Sequence, residues 1–278
     1  MSWRRFFKTL VILVFVFLVT QYALGPSIIP SSGKNEDVRA YTRPIEFNYG
    51  SWMADAMLLK IGQVALGLPE YMQAADQKQT VLDYLALVNE IQAAQFELET
   101  IFADPNIADP EAASFELRAH LEELYQQREL LGPLAESILQ NQLSTIAAEV
   151  GLTLGGQPVP PVLYHSTPLP WALIVSPRDV IRQDGNISLE VETTLEDQIV
   201  LENEVEQNLN LSALVVPVGG IGAYPTMVAQ TTNLNWLAEV IAHEWTHNYL
   251  TLRPLGLLYS ETPELRTMNE TTASIAGN

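Results

Sequence analysis

With 278 residues, 47% of them hydrophobic, the chain has enough apolar material for a real core, which excludes wholesale disorder. It has no cysteine, which excludes disulfide staples and thiolate metal sites; any metal must be held by His, Asp or Glu. The net charge is −19, and residues 44–278 carry 31 acidic against 8 basic side chains, a surface that repels phosphate backbones and argues against nucleic acid as a partner.

Arg4, Arg5 and Lys8 precede an uncharged run from Thr9 to Gly33, with its apolar heart at Leu10 to Val19. The stretch from Leu10 to Ile29 is long enough to remain as a transmembrane helix. The basic flank then stays inside and the main domain is extracytoplasmic. Ala23 and Gly25 are small residues at a spacing compatible with signal cleavage, so secretion is the alternative. Residues 1–29 are read as membrane anchor or signal, 30–50 as linker, 51–155 as a helical region and 156–278 as the domain that carries the chemistry.

From about Trp52 to Val150 the apolar spacing is helical. One run includes Val81, Leu85, Val88 and Ile91; a second includes Leu117, Leu121, Leu124, Leu131 and Ile138. The expectation is an αα-hairpin of two long helices, with a shorter helix near residues 52–66. Asp109 ahead of Pro110 supplies a helix cap, and Gly132-Pro133 predicts a kink or break. His120 reads as a surface or packing residue.

After Gly155-Gly156 the pattern changes. Short β-type runs occur at Ala172–Ser176, Ile187–Val191, Leu214–Val218 and around Ala223–Ala229, with an amphipathic helix over Thr194–Asn208. The fold class is α+β with a mainly local sheet. His165, among Pro160, Pro161 and Pro168, reads as a loop residue. Asn186, Asn210 and Asn269 each open an Asn-x-Ser/Thr tripeptide, read as chance matches to the glycosylation pattern.

The segment NLNWLAEVIAHEWTHNYLTLRPLG reads as a helix with Asn235 as N-cap and Pro254 as its stop. His243 and His247 lie one turn apart on one face, so both imidazoles reach one metal ion. Glu244 is rotated by about 100° and falls beside the open position of such an ion, where a carboxylate can act as general base. A catalytic zinc needs a third protein ligand. Of the downstream acids, Glu261 precedes the helix start at Thr262-Pro263-Glu264, and Glu264 suits the positive end of that helix. Glu270 lies about two turns in and can point inward, so it is the chosen ligand, with Glu264 as the alternative.

HEWTH followed by NETTA (Asn269 to Ala273) resembles the gluzincins, the zinc metallopeptidases typified by thermolysin and the zinc aminopeptidases. The resemblance covers roughly residues 170–278. It implies a zincin-like small sheet, a ligand-bearing second helix, Zn2+ held by His243, His247 and Glu270, and Glu244 as the base. The whole chain is similar to membrane-anchored bacterial peptidases of this type. Ser274 stands where thermolysin-like enzymes orient a histidine with an aspartate. The stretch Gly219 to Pro225 has no acid where the aminopeptidases hold the substrate amine. Its glycines suit either an ordinary turn or close approach of an extended substrate, and Tyr224 is a candidate oxyanion donor. Gluzincins continue beyond this point into a lobe that closes the cleft, so the domain is expected to be C-terminally incomplete.

The functional expectation is zinc-dependent hydrolysis of peptide bonds, with a peptide or protein substrate and a membrane contact through the N-terminal helix. The alternative is a non-catalytic extracytoplasmic interaction module on a degenerate zincin scaffold. The intact Glu244 favours the first, because a binding module has no need of a base beside a metal.

Overall fold

The computed structural model describes residues 33–278 apart from 181 and 260. The expected anchor or signal over residues 1–29 lies outside the described residues, among which no helix is long and apolar enough to cross a membrane.

The stretch expected as a linker is mostly structured. Helix α1 (Gly33–Thr42) and a 3-10 turn (Arg43–Ile45) place Val38, Tyr41 and Ile45 against Leu173, Val175 and Leu189. These three positions follow helical spacing within a polar, proline-bearing stretch, so the apolar face was present but masked by its neighbours. Arg39 holds Glu46 with two hydrogen bonds, and Glu46 bridges to Leu189.

Helix α2 (Tyr49–Leu66) starts on the Asn48 side chain, which accepts from Ser51 N, and stops at left-handed Gly67. Helices α3 (Ala74–Ala103), the short α4 (Pro110–Ala113) and α5 (Phe115–Glu149) form the hairpin. Asp109 caps α4 by accepting from Ala112 N at 3.0 Å. Leu87, Ile91 and Ala94 pack on Leu121 and Leu124, and Val81, Tyr84 and Val88 join Ala135, Ile138 and Leu139. The kink or break expected at Gly132-Pro133 does not end the helix: α5 runs through Pro133. An interior proline costs about 3 kcal/mol. Burying a single large aliphatic side chain contributes about 1.5–3 kcal/mol, and several follow Pro133 along this interface.

Among the described residues the strands form two three-stranded sheets. Strands β1 (Tyr164–Ser166), β2 (Trp171–Pro177) and β3 (Gly185–Leu189) precede α6 (Leu195–Leu209) and β4 (Leu211–Val216). The β3-β2-β4 sheet is antiparallel and local, and α6 covers it through Leu201 and Val205. Thr194 and Asp197 form a capping box at the start of α6. The other sheet has the order β1-β6-β5, with β5 (Gly220–Ile221) and β6 (Thr226–Val228) antiparallel and β1 parallel to β6. It packs Tyr164 and Val228 against α7 (Leu234–Thr251) through Leu237, Ile241 and Trp245. Helices α8 (Pro254–Leu257) and α9 (Pro263–Gly277) complete the α+β fold.

His165 is not in a loop but in β1, beside a buried charge. The free edge of β1 turns its Tyr164 and Ser166 N–H groups toward α5, where Gln140 and Glu136 accept them at 3.1 and 2.8 Å. Four residues along a helix rise about 6 Å and two along a strand about 6.6 Å, so one helix face matches one strand edge. The Glu136 carboxylate also accepts from Lys60, from Gln63 at 3.2 Å, and contacts His165 Nδ1 at 2.9 Å. Burial pushes its pKa up, but the Lys60 charge and the His165 contact outweigh this and bring it down to about 2. Lys60 is fully buried and, among the described residues, has Glu136 and Gln63 to accept its protons, yet burial still leaves its pKa below the ordinary value.

Candidate metal centre

Helix α7 begins two residues earlier than the expected cap: the Asn233 side chain accepts from Asn235 N and Trp236 N, at 3.0 and 3.1 Å. The helical period then places His243 and His247 on one face, with their Nε2 atoms 3.2 Å apart. The connection back is tight. A Cβ on Gly256 would lie 2.2 Å from the Leu250 carbonyl carbon, so only glycine permits α8 to fold against the end of α7. Thr262 caps α9 by accepting from Leu265 N, and Pro263 follows at a position needing no amide proton.

Along α9, Asn269 and Ala273 are buried against α7, and Glu270 faces the histidines. Glu270 Oε2 lies 3.4 Å from His247 Nε2 and 3.6 Å from His243 Nε2. A tetrahedral ion with ligand bonds of about 2.0–2.1 Å has ligand–ligand edges of about 3.4 Å. The observed edges of 3.2, 3.4 and 3.6 Å therefore describe one face of such a tetrahedron, and the residues fit a zinc ion. Glu264, the alternative ligand, is exposed in the first turn of α9, six residues and thus about 9 Å along the axis from Glu270.

Asn269 fixes the chemistry of His247. Its Nδ2 donates to the Leu255 carbonyl at 3.2 Å, which aims its Oδ1 at His247 Nδ1, 2.7 Å away. Nδ1 must then carry the proton, and the Nε2 lone pair is left for a metal. The residue is 2% exposed, so the tripeptide that opens at Asn269 is inaccessible to a glycosylating enzyme in the folded chain. Sequence reasoning assigned Asn269 no role of its own; its place next to Glu270 was the available signal.

Glu244 is set apart from the three ligand atoms, beneath β5. A Cβ built on Gly220 would sit 2.8 Å from Glu244 Cγ and 2.9 Å from its Oε1. On Gly222 it would lie 3.2 Å from His247 Cβ. The glycines thus mark a close approach of backbone to the carboxylate, not merely a turn. Burial, reinforced by Glu270 and opposed by His247, raises the Glu244 pKa to about 7. Gly220→Ala is expected to displace the carboxylate and cut any Glu244-dependent turnover by at least about tenfold. Metal content should stay unchanged, since no ligand is touched. Parallel turnover and metal assays check this, and undiminished turnover would show that Glu244 has room to move.

Burial pulls the His247 pKa down, but the Glu270 hydrogen bond and charge reverse the sign and raise it. His243 is lowered by burial and by its neighbour His247. The hydrogen bond with His247 brings Glu270 down to about 2 against the cost of burial, with Tyr259 assisting. Tyr259 was not foreseen from the sequence. Its hydroxyl donates to Glu270 Oε1 at 2.7 Å, and burial next to that carboxylate raises its pKa to about 12. It stays a neutral donor at the rim of the site.

The candidate oxyanion donor Tyr224 is elsewhere. Its hydroxyl donates to the Pro161 carbonyl at 2.9 Å, and the ring is 4% exposed, packed on Met57 and Leu163. Its aromatic surface is used in the core. Asn248 donates to Ala223 O at 2.9 Å and so ties the loop between β5 and β6 to α7. No protein-family model, curated protein or solved structure matches this chain.

Proposed function

We propose that this chain is a zinc-dependent peptidase of the gluzincin type, with His243, His247 and Glu270 as ligands and Glu244 as general base. The observation that carries the reading is the convergence of three ligand atoms, all within 4.8 Å of one another, with a separate carboxylate beside them. A zinc ion bound there supplies Lewis acidity, stabilising the negative charge that develops on an attacking water and on the substrate carbonyl oxygen.

The remaining work falls to the chain. Glu244, raised to about 7, takes a proton from the water as its oxygen bonds to the carbonyl carbon. It returns that proton to the amide nitrogen as the C–N bond breaks. Tyr259, held protonated, donates to Glu270 and so orients that ligand's carboxylate. The open edge of β5 lies over Glu244 and offers backbone groups to an extended peptide. The basic flank and uncharged run ahead of Gly33 support a membrane-anchored, extracytoplasmic setting.

The test is equilibrium dialysis against zinc with elemental analysis, together with a mass-spectrometric peptide-cleavage screen. One equivalent of zinc and metal-dependent cleavage are expected for the native chain. Glu270→Ala should weaken zinc by more than about 100-fold, since it removes a ligand where outer partners alone contribute 10–100-fold. Undiminished zinc affinity in that variant would remove Glu270 from the site.

A further inference from the structure

Among the described residues, one arginine beside this site has no carboxylate partner. Arg39, Arg43, Arg118, Arg178 and Arg182 each pair with a carboxylate. Arg128 donates to Gln230, and Arg253 to the Tyr249 carbonyl. Arg266 has no such partner. Among the described residues no carboxylate comes within 4.0 Å of its guanidinium, and its Nε is buried with no hydrogen-bond acceptor. Buried guanidinium donors without acceptors are costly, and a planar fork of this kind matches a carboxylate.

Arg266 lies one turn before Glu270 on α9, and both line an open face of that helix with Ser274 and Ile275. Its guanidinium carbon sits 5.7 Å from the ring centroid of Tyr259, whose hydroxyl binds Glu270. The ring and the helix limit where the fork can go. The Glu270 carboxylate is turned to Tyr259 and the histidines, so it does not satisfy the arginine.

Resting on the zinc-peptidase reading, we infer that Arg266 is a substrate-binding residue that receives a carboxylate, selecting peptides with a negative charge close to the scissile bond. The charge is either the C-terminal carboxylate of a short peptide or an acidic side chain; both present the same planar anion. In a chain with 33 acidic and 14 basic residues, the surrounding surface repels anionic peptides, so a local cation is needed to admit one.

The experiment uses the full zinc-loaded chain and three peptide hydroxamates. The first ends in a carboxylate, the second in a carboxamide, and the third in a carboxamide with an acidic side chain next to the hydroxamate. Titration calorimetry gives the affinities. At least one anionic probe is expected to bind about tenfold or more tighter than the neutral one. Which anionic probe binds tighter identifies the source of the charge. Arg266→Gln should erase the preference without changing affinity for the neutral probe, and Arg266→Lys should keep part of it. Equal binding of all three probes to the native chain, or a preference that survives Arg266→Gln, overturns the proposal alone. Failure of every probe to bind the zinc-loaded chain overturns the metal-site reading, and the proposal with it.

Discussion

Glu244→Gln is expected to lower peptide cleavage by on the order of 10^3-fold while leaving zinc stoichiometry at the native level. The two outcomes separate because Glu244 is not one of the three converging groups. Glutamine keeps the size of the side chain, so the close contact with Gly220 and the packing beneath β5 survive. It loses the ability to accept a proton, and general base catalysis contributes 10^2–10^4-fold. The raised pKa of about 7 sharpens the expectation, since a base is most effective when its pKa lies near the working pH. Parallel metal analysis and cleavage kinetics decide the matter. Native cleavage rates in the variant would remove Glu244 from the chemistry, and loss of zinc would make it a ligand.

Lys60→Met should destabilise the fold by about 3–5 kcal/mol, because it strands a buried carboxylate. Glu136 is 2% exposed and Lys60 0%, so solvent does not replace the missing partner. The double variant Lys60→Met with Glu136→Gln should recover much of the loss. The remaining amide oxygen still accepts from Ser166 N, and no unpaired charge is buried. Urea denaturation of the three proteins measures this, and a single variant as stable as the native chain would show that the pair contributes nothing. The pH dependence has a definite sign. The Glu136 pKa falls from 4.5 to about 2 on folding, so its contribution is fully present above about pH 4.5 and is lost as pH drops through 2. Part of the depression comes from the Lys60 charge, so native and Lys60→Met proteins should converge in stability toward the acid end of that window.

Local chemistry was readable residue by residue. The start of α6 at Thr194, the Asp109 cap and the spacing of His243 and His247 are written within one or two turns of chain. Contacts distant in sequence were not. Lys60 and Glu136 are 76 residues apart, and nothing in either segment marks the other as its partner. Strand β1 is three residues long, flanked by prolines, and its partner β6 is about 60 residues away, so His165 looked like a loop residue. Pro133 is a helix breaker by its local chemistry, and packing against α3 overrides it.

The motif HEWTH, by itself, determined which residue types share one helix face and which carboxylate stands apart from them, because the 3.6-residue period leaves no freedom at that range. It also narrowed the third ligand to a short set of downstream acids. Only the tertiary structure brought Glu270 within 3.6 Å of both histidines and set Glu264 aside at the helix start. It alone aimed Asn269 at His247, added Tyr259, sent Tyr224 into the core and left the Arg266 Nε without an acceptor. Those placements depend on how α8 turns against α7 at Gly256 and how α9 lies across it, and such docking is decided by packing between surfaces rather than by any local period.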